Sequence, residues 1–232
     1  MRYYRRDYEG AGDVHPHTRD AEGDGYQQLD LSMWVLYNIL ATIYLKNRNL
    51  SFNVFPGHVS GNILNTGSAG LGATGNDEIP KTGWNTQNGA IQILGVENPY
   101  GNVGQWLEAA SISQDSFVTV MRGYDASPNV QTVGSLPANS GAVATNYIKF
   151  LNAGVGNAQS YVFPAALGTV QANFLGSYYS PQTSASMFYV GGNCNSGQGQ
   201  YAGLWSIFPE RDGALSPFVG SRLCYRPRPN TN

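Results

Sequence analysis

The sequence predicts an α+β domain in which two main helices pack on short antiparallel strands joined by long ordered loops. Three observations predict it. Charged residues make up only 12% of the 232 positions, while glycine reaches 29 and tyrosine 15, a balance that suits turns and strands better than a coiled coil or helical bundle. One segment, residues 29–48, repeats its large apolar side chains at helical spacing. Several shorter runs alternate apolar and polar residues between stretches dense in Gly, Asn and Thr, as strands between loops do. With 41% hydrophobic residues, the chain is long enough to bury a core within one domain.

Residues 1–28 set Arg2, Arg5, Arg6 and Arg19 against Asp7, Glu9, Asp13, Asp20, Glu22 and Asp24, with few aliphatic side chains. Such a segment cannot bury much apolar surface, so it reads as an extended charged arm ordered by its neighbours. It carries His15, Pro16 and His17, but no cysteine or clustered carboxylate completes a metal set. No metal or other cofactor is expected. Residues 29–228 form the domain.

The best helix is LDLSMWVLYNILATIYLKNR, residues 29–48. Trp34, Tyr37, Ile39, Leu40, Ile43 and Tyr44 recur at helical spacing, and Asp30 or Ser32 stands where a cap belongs. Lys46 and Arg48 fall in the expected last turn, where cations suit the helix dipole. The apolar face is broad, so this helix is expected to be mostly buried. Residues 49–90 read as strand and loop, and IQILGV (91–96) as a short apolar strand. A second helix is expected near 101–110, with Trp106 and Leu107 inward. SFVTVMRG (116–123) alternates like a strand, and TNYIKFL (145–151) reads as a strand or a turn of helix. SMFYVGG (186–192) and FVGSRLCY (218–225) read as closing strands. The stretch between them has no period and is long for a compact domain, which marks a functional or disordered loop.

Charge and composition exclude some classes. A net charge of -2 offers no long cationic surface, which argues against a nucleic-acid partner. No run of about 18 apolar residues exists, so membrane insertion by a helix is not expected. The first residues lack an apolar stretch of the secretory kind, which points to assembly in a cytoplasm. Under that expectation Cys194 and Cys224 read as free thiols, with a disulfide or redox pair as the alternative.

The run Gly95-Val96-Glu97-Asn98-Pro99-Tyr100-Gly101-Asn102-Val103-Gly104-Gln105-Trp106 resembles the G-x-E-N-x-x-G-N-V-W-[EQ]-W segment of C-type-lectin folds of the formylglycine-generating-enzyme type. The tail, Gly203-Leu204-Trp205 through Val219-Gly220-Ser221-Arg222-Leu223, is similar to the ending of variable proteins served by diversity-generating retroelements. The two motifs follow in the family's order, after a long helix, and the resemblance covers about 29–226. Gly104 stands where the family has a second tryptophan, Leu94 where an arginine often precedes the motif, and Leu107-Glu108-Ala109 where V-D-G is usual. The first motif reads as structural. Glu97, Asn98 and Asn102 can satisfy backbone donors, and Trp106 can fill the core. Glu97 as a general acid is the weaker reading, because no His, Cys or Asp lies near it in sequence. Arg222 is expected to be tied to backbone or carboxylate oxygens.

Two readings compete for residues 193–219. In one, these side chains plug the core from a long loop. In the other they are exposed and bind, since aromatic residues and Arg carry binding energy at interfaces and exposed apolar patches mark contact sites. The resemblance favours the second, because the family's templates scatter asparagine codons across many residue types. Ile, Phe, Pro, Arg, Asp, Leu, Tyr and Cys are reachable from such codons, and Glu210 is not. The expected ligand-binding residues are Asn195, Tyr201, Trp205, Ser206, Ile207, Phe208, Glu210, Arg211, Asp212, Leu215 and Phe218.

The resemblance thus implies a non-enzymatic recognition protein: a receptor-binding adhesin of a phage tail or virion fibre, diversified by a retroelement. The implied partners are a host cell-surface receptor, protein or glycan, other virion proteins docked through the arm, and further copies in a homotrimer. Its place would be the virion. The alternatives are a virion decoration or collar component without a receptor role, or an oxidase of the formylglycine-generating type using Cys194 and Cys224. The calcium-dependent sugar motifs E-P-N, Q-P-D and W-N-D are absent from the sequence.

Overall fold

The helix expected over 29–48 forms over Leu31–Leu45 (α1) in the computed structural model, which describes residues 26–59, 61–65, 82–107, 110–113, 116–122, 128–135, 147–151, 164–168, 187–195, 202–210 and 216–225. Asp30 lies in extended backbone just before the first turn. Its Oδ1 accepts from the Met33 amide at 2.8 Å, satisfying a donor that the helix itself leaves unpaired. The other end closes as Lys46 enters the left-handed region at φ 51, with its amide donating to Ile43 O and the Asn47 amide to Thr42 O, the six-to-one and five-to-two pairing of a Schellman end. Lys46 is therefore the cap and Arg48 lies beyond the helix, not in its last turn.

Leu31, Trp34, Asn38 and Ala41 follow one another at three- and four-residue steps and are buried, which is the periodicity of one helix face. The opposite face is equally apolar but exposed, through Leu36, Ile39, Leu40, Ile43 and Tyr44. The expectation that α1 is mostly buried holds for only one side of it. A one-turn helix, α2 (Leu50–Asn53), follows.

The second long helix, expected near 101–110, does not form. Asn98, Gly101 and Asn102 all take positive φ (46, 70 and 52), which no right-handed helix accommodates. Gly104–Trp106 then runs as a strand. The architecture among the described residues is mixed α and β with one long helix.

The strands in chain order are β1 (Tyr26–Gln28), β2 (Gly83–Trp84), β3 (Ile91–Ile93), β4 (Val96–Glu97), β5 (Gly104–Trp106), β6 (Ala110–Ser113) and β7 (Ser116–Arg122). They continue as β8 (Pro128–Ser135), β9 (Tyr147–Leu151), β10 (Pro164–Gly168), β11 (Met187–Val190), β12 (Ile207–Glu210), β13 (Val219–Ser221) and β14 (Leu223–Tyr225). β2, β3 and β4 form one antiparallel sheet, β6, β7 and β8 another, and β9 pairs with β10. The run expected as a single strand over 91–96 is a hairpin. Leu94 and Gly95 form its two-residue turn, both at positive φ (48 and 80), as a primed turn requires.

The sheet that matters most runs β12-β11-β5-β13, with β13 parallel to β5 and the other pairs antiparallel. It joins the first sequence motif, on β5, directly to the last, on β13. β1 pairs with β14, and the Gln28 side chain donates to Trp106 O at 3.2 Å. Tyr26–Gln28 therefore belongs to the folded body rather than to the arm. Residues 1–25 lie outside the described residues.

α1 covers this sheet's neighbourhood through aromatic contact. Trp34 meets Trp205 edge-on with ring centroids 5.7 Å apart, and Asn38 Nδ2 donates to Leu204 O at 2.7 Å. Ile91, Ile93, Tyr100, Val190 and Ile207 complete the buried cluster.

Candidate binding surface

The stretch from Asn193 to Val219 is fixed to the core at three places. Asn193 and Cys194 are buried, the Cys194 amide donating to Asn102 O at 3.0 Å. Ala202, Leu204 and the run from Trp205 to Phe208 are buried beneath α1 and against β11. Val219 and Ser221 are buried on β13, beside β5.

The middle anchor corrects the sequence-based expectation. Trp205, Ser206, Ile207 and Phe208 were expected on an exposed surface. They are core residues, each between 0% and 4% exposed. The cause is the hairpin register. β12 pairs with β11 so that Ile207 lies opposite Val190 and Phe208 opposite Tyr189, and the Tyr189 and Phe208 rings stack 5.0 Å apart at 9°. Trp205 is held by Trp34. For these four residues the core-plug reading is the one the geometry supports.

The rest of the expected set falls elsewhere. Asn195 is half-buried at the edge of the first anchor, its amide bonded to Asn193 Oδ1 at 2.9 Å. Phe218 is half-buried beside exposed Pro217, in a turn closed by its amide on Ser216 Oγ at 3.2 Å. Tyr201, Arg211, Asp212 and Leu215 lie outside the described residues, as does the side chain of Glu210. The described positions open to solvent are therefore the shoulders of the anchors.

The first motif builds the frame. Asn98 Oδ1 accepts from the Ile91 amide at 3.0 Å, and Asn102 bonds Leu64 twice, accepting from its amide at 2.8 Å and donating to its carbonyl at 3.1 Å. A side chain at Gly101 would bring its Cβ to 2.7 Å from His58 O, so only glycine fits this crossing. Arg222, between β13 and β14, donates from Nη2 to Glu97 O at 2.7 Å and Asn98 O at 3.2 Å. The arginine thus ties the two motifs together through backbone oxygens. Its Nε and Nη1 and Asn98 Nδ2 are buried and find no hydrogen-bond partner among the described residues.

Gly104 has its own reason. The Tyr189 ring occupies the space a side chain there would need, its Cδ2 lying 2.6 Å from the position of a Cβ. The ring also meets Trp106 edge-on at 5.7 Å.

Burial pushes the Cys194 thiol up, which disfavours the thiolate that nucleophilic attack or metal ligation needs, and Cys194 is a free thiol. Burial also holds the Tyr37 and Tyr100 phenols well above their ordinary range, Arg222 opposing the effect at Tyr37 and Tyr37 reinforcing it at Tyr100. Their hydroxyls donate to Ile93 O and Phe55 O. His58 sits with Nδ1 2.6 Å from Asn88 O and Nε2 2.8 Å from Asn62 O, so its ring is engaged on both sides by backbone. Nothing in the spacing of the sequence signals that setting. Among the described residues no three His, Cys, Asp or Glu side chains gather as a metal set would. His15 and His17 lie outside them. No helix there is long and apolar enough to cross a membrane.

No protein-family model, curated protein or solved structure matches the chain.

Proposed function

We propose that this chain is a non-enzymatic recognition protein with a C-type-lectin-like frame: a receptor-binding adhesin of a phage tail or virion fibre, its C-terminal stretch diversified by a retroelement. One observation carries the reading. The irregular stretch from Asn193 to Val219 is clamped at Asn193–Cys194, at Ala202–Phe208 and at Val219, and the segments between clamps hold Tyr201, Arg211, Asp212, Leu215 and Phe218 in sequence. Variable side chains on a fixed frame are the physical logic of a paratope, because a rigid scaffold spares the binding loops much of the entropy of ordering. The binding set narrows accordingly to Asn195, Tyr201, Glu210, Arg211, Asp212, Leu215 and Phe218. Trp205–Phe208 act as the frame.

The receptor is a host cell-surface protein or glycan, and the charged residues ahead of β1 dock other virion proteins. The test is adsorption of the labelled full chain to host cells. Replacing Arg211 and Phe218 together by alanine should lower cell-bound protein about tenfold or more, as loss of two anchor residues does, with the circular dichroism spectrum unchanged. Adsorption equal to wild type, or none by either protein, ends the reading. A genomic locus with no reverse transcriptase and no near-copy of the 3′ end would end the retroelement part alone.

A further inference from the structure

We infer that the outer face of α1 is a self-association surface, packed antiparallel against the same face of a second copy of this chain. This does not rest on the recognition reading. Leu36, Ile39, Leu40, Ile43 and Tyr44 are between 41% and 67% exposed and stand at steps of three and four residues, so they form one continuous stripe. The other face of the same helix is already in the core. α1 contains no charged residue over its 15 positions. A helix apolar on all sides is normally covered on all sides. At about 1.5 Å per residue it is too short to cross the roughly 30 Å of a bilayer core.

The choice of occupant follows from chemistry. Residues 1–25 carry ten charged side chains against Met1, Val14, Tyr3, Tyr4 and Tyr8, and seating those tyrosines on the stripe would draw the neighbouring Arg2, Arg5, Arg6, Asp7 and Glu9 onto an uncharged surface. A charged partner finds no complement on the stripe, whose nearest cations, Lys46 and Arg48, lie past one end. A second copy presents the same apolar stripe, and a twofold contact needs only that a surface complement itself. Orientation follows from the same cations. A parallel pair would bring Lys46 and Arg48 of both copies together, whereas an antiparallel pair places them at opposite ends.

The area agrees with a weak, specific dimer. Five large side chains, each about half exposed, offer on the order of 400–500 Å² per copy. That is more than half of the roughly 800 Å² per partner of an ordinary stable interface. Half-buried Thr42 and Asn47 with exposed Lys46 and Arg48 flank the stripe and supply the polar rim such interfaces have.

Sedimentation velocity on the full chain over a concentration series tests this. The wild type should shift towards twice the monomer mass as concentration rises. The double substitution Leu40→Glu, Ile43→Glu should weaken association about tenfold or more, with an unchanged circular dichroism spectrum, and Leu40→Ser, Ile43→Ser serves if the charged variant does not fold. Under mild oxidation Leu40→Cys, at the middle of the stripe, should cross-link two copies above the wild-type background, and Leu36→Cys, at its end, should not. A wild type that stays monomeric throughout overturns the inference. So does association that survives both stripe variants, capture of the stripe by phosphatidylcholine vesicles in place of a second copy, or equal cross-linking at 36 and 40.

Discussion

Replacing Trp205 by alanine separates a core residue from a contact residue. Trp205 is 4% exposed, packed on α1 through Trp34 at 5.7 Å, and anchored by the neighbouring bond from Asn38 to Leu204 O at 2.7 Å. Truncating a large aromatic in such a site costs about 3–5 kcal/mol, transfer and cavity together. The edge-on pair with Trp34 accounts for roughly 1 kcal/mol of that. With a denaturant slope of about 2 kcal/mol per molar urea, the unfolding midpoint falls by about 2 M. Far-UV circular dichroism across a urea titration reads this directly and does not depend on tryptophan fluorescence, which the substitution itself alters. The control is Phe218→Ala, at a half-buried turn position, where a loss of about 1 kcal/mol or less is expected. A second leg adds Trp34→Ala and the double variant, whose coupling should come to about 0.5–1.5 kcal/mol. If Trp205→Ala leaves the unfolding free energy within about 0.5 kcal/mol of wild type, Trp205 is a surface residue. The anchoring of the C-terminal stretch under α1 is then wrong.

Two further outcomes follow from the same packing. Gly104→Ala would put a methyl group 2.6 Å from Tyr189 Cδ2, on a ring already fixed by Trp106 and Phe208. Overpacking of this kind costs about 1–3 kcal/mol, and a thermal midpoint equal to wild type would show that the ring does not lie there. Stability should also fall as pH rises above 10.0, the ordinary phenol value. The folded-state values of Tyr37 and Tyr100 are raised by burial, so the unfolded chain releases these protons first and gains relative to the fold. Their contribution is complete below 10.0 and diminishes above it. Tyr37→Phe should flatten the alkaline slope in urea titrations run between pH 9 and pH 11, and an unchanged slope would mean that Tyr37 is not the buried group titrating.

Elements whose signal is local were legible in the sequence. α1 announces itself by the helical spacing of Trp34, Tyr37, Ile39, Leu40, Ile43 and Tyr44 and by the cap at Asp30, although Ile39, Leu40, Ile43 and Tyr44 lie on its exposed side. β7, β9, β11 and β13 fall within the alternating or apolar runs marked for them. The structural roles of Asn98, Asn102, Trp106 and Arg222 followed from their chemistry. The second helix was misread because Trp106 and Leu107 look inward-facing at either period, and the deciding facts, the positive φ values of Asn98, Gly101 and Asn102, leave only weak traces in residue type. The exposure of one side of α1 was illegible for a different reason. An apolar stripe looks the same whether a neighbour covers it or not, and only the packing of Trp34 and Asn38 on Leu204 and Trp205 fixes which side faces in. Likewise, nothing in the residues Trp205–Phe208 distinguishes a greasy loop from a core strand until β11 supplies Tyr189 as partner.

The burial of Trp205–Phe208 constrains what diversification of this stretch could reach. A position can vary freely only if its side chain carries little of the folding free energy, and a domain holds about 5–15 kcal/mol in total. At Trp205, Ile207 or Phe208 one truncation removes a large part of that margin. At half-buried Asn195 and Phe218 and exposed Pro217, most exchanges cost about 0.5 kcal/mol or a little more. A stretch with core residues interleaved in this way cannot be randomised as a block without losing the fold in most variants. The tolerated changes must concentrate on the shoulders of the anchors and in the segments between them, and the buried run must keep its volume and shape. Comparison of variants from one locus would therefore show change clustered outside 202–208. Free exchange of Ile207, whose side chain is wholly buried, would be incompatible with β12 pairing on β11.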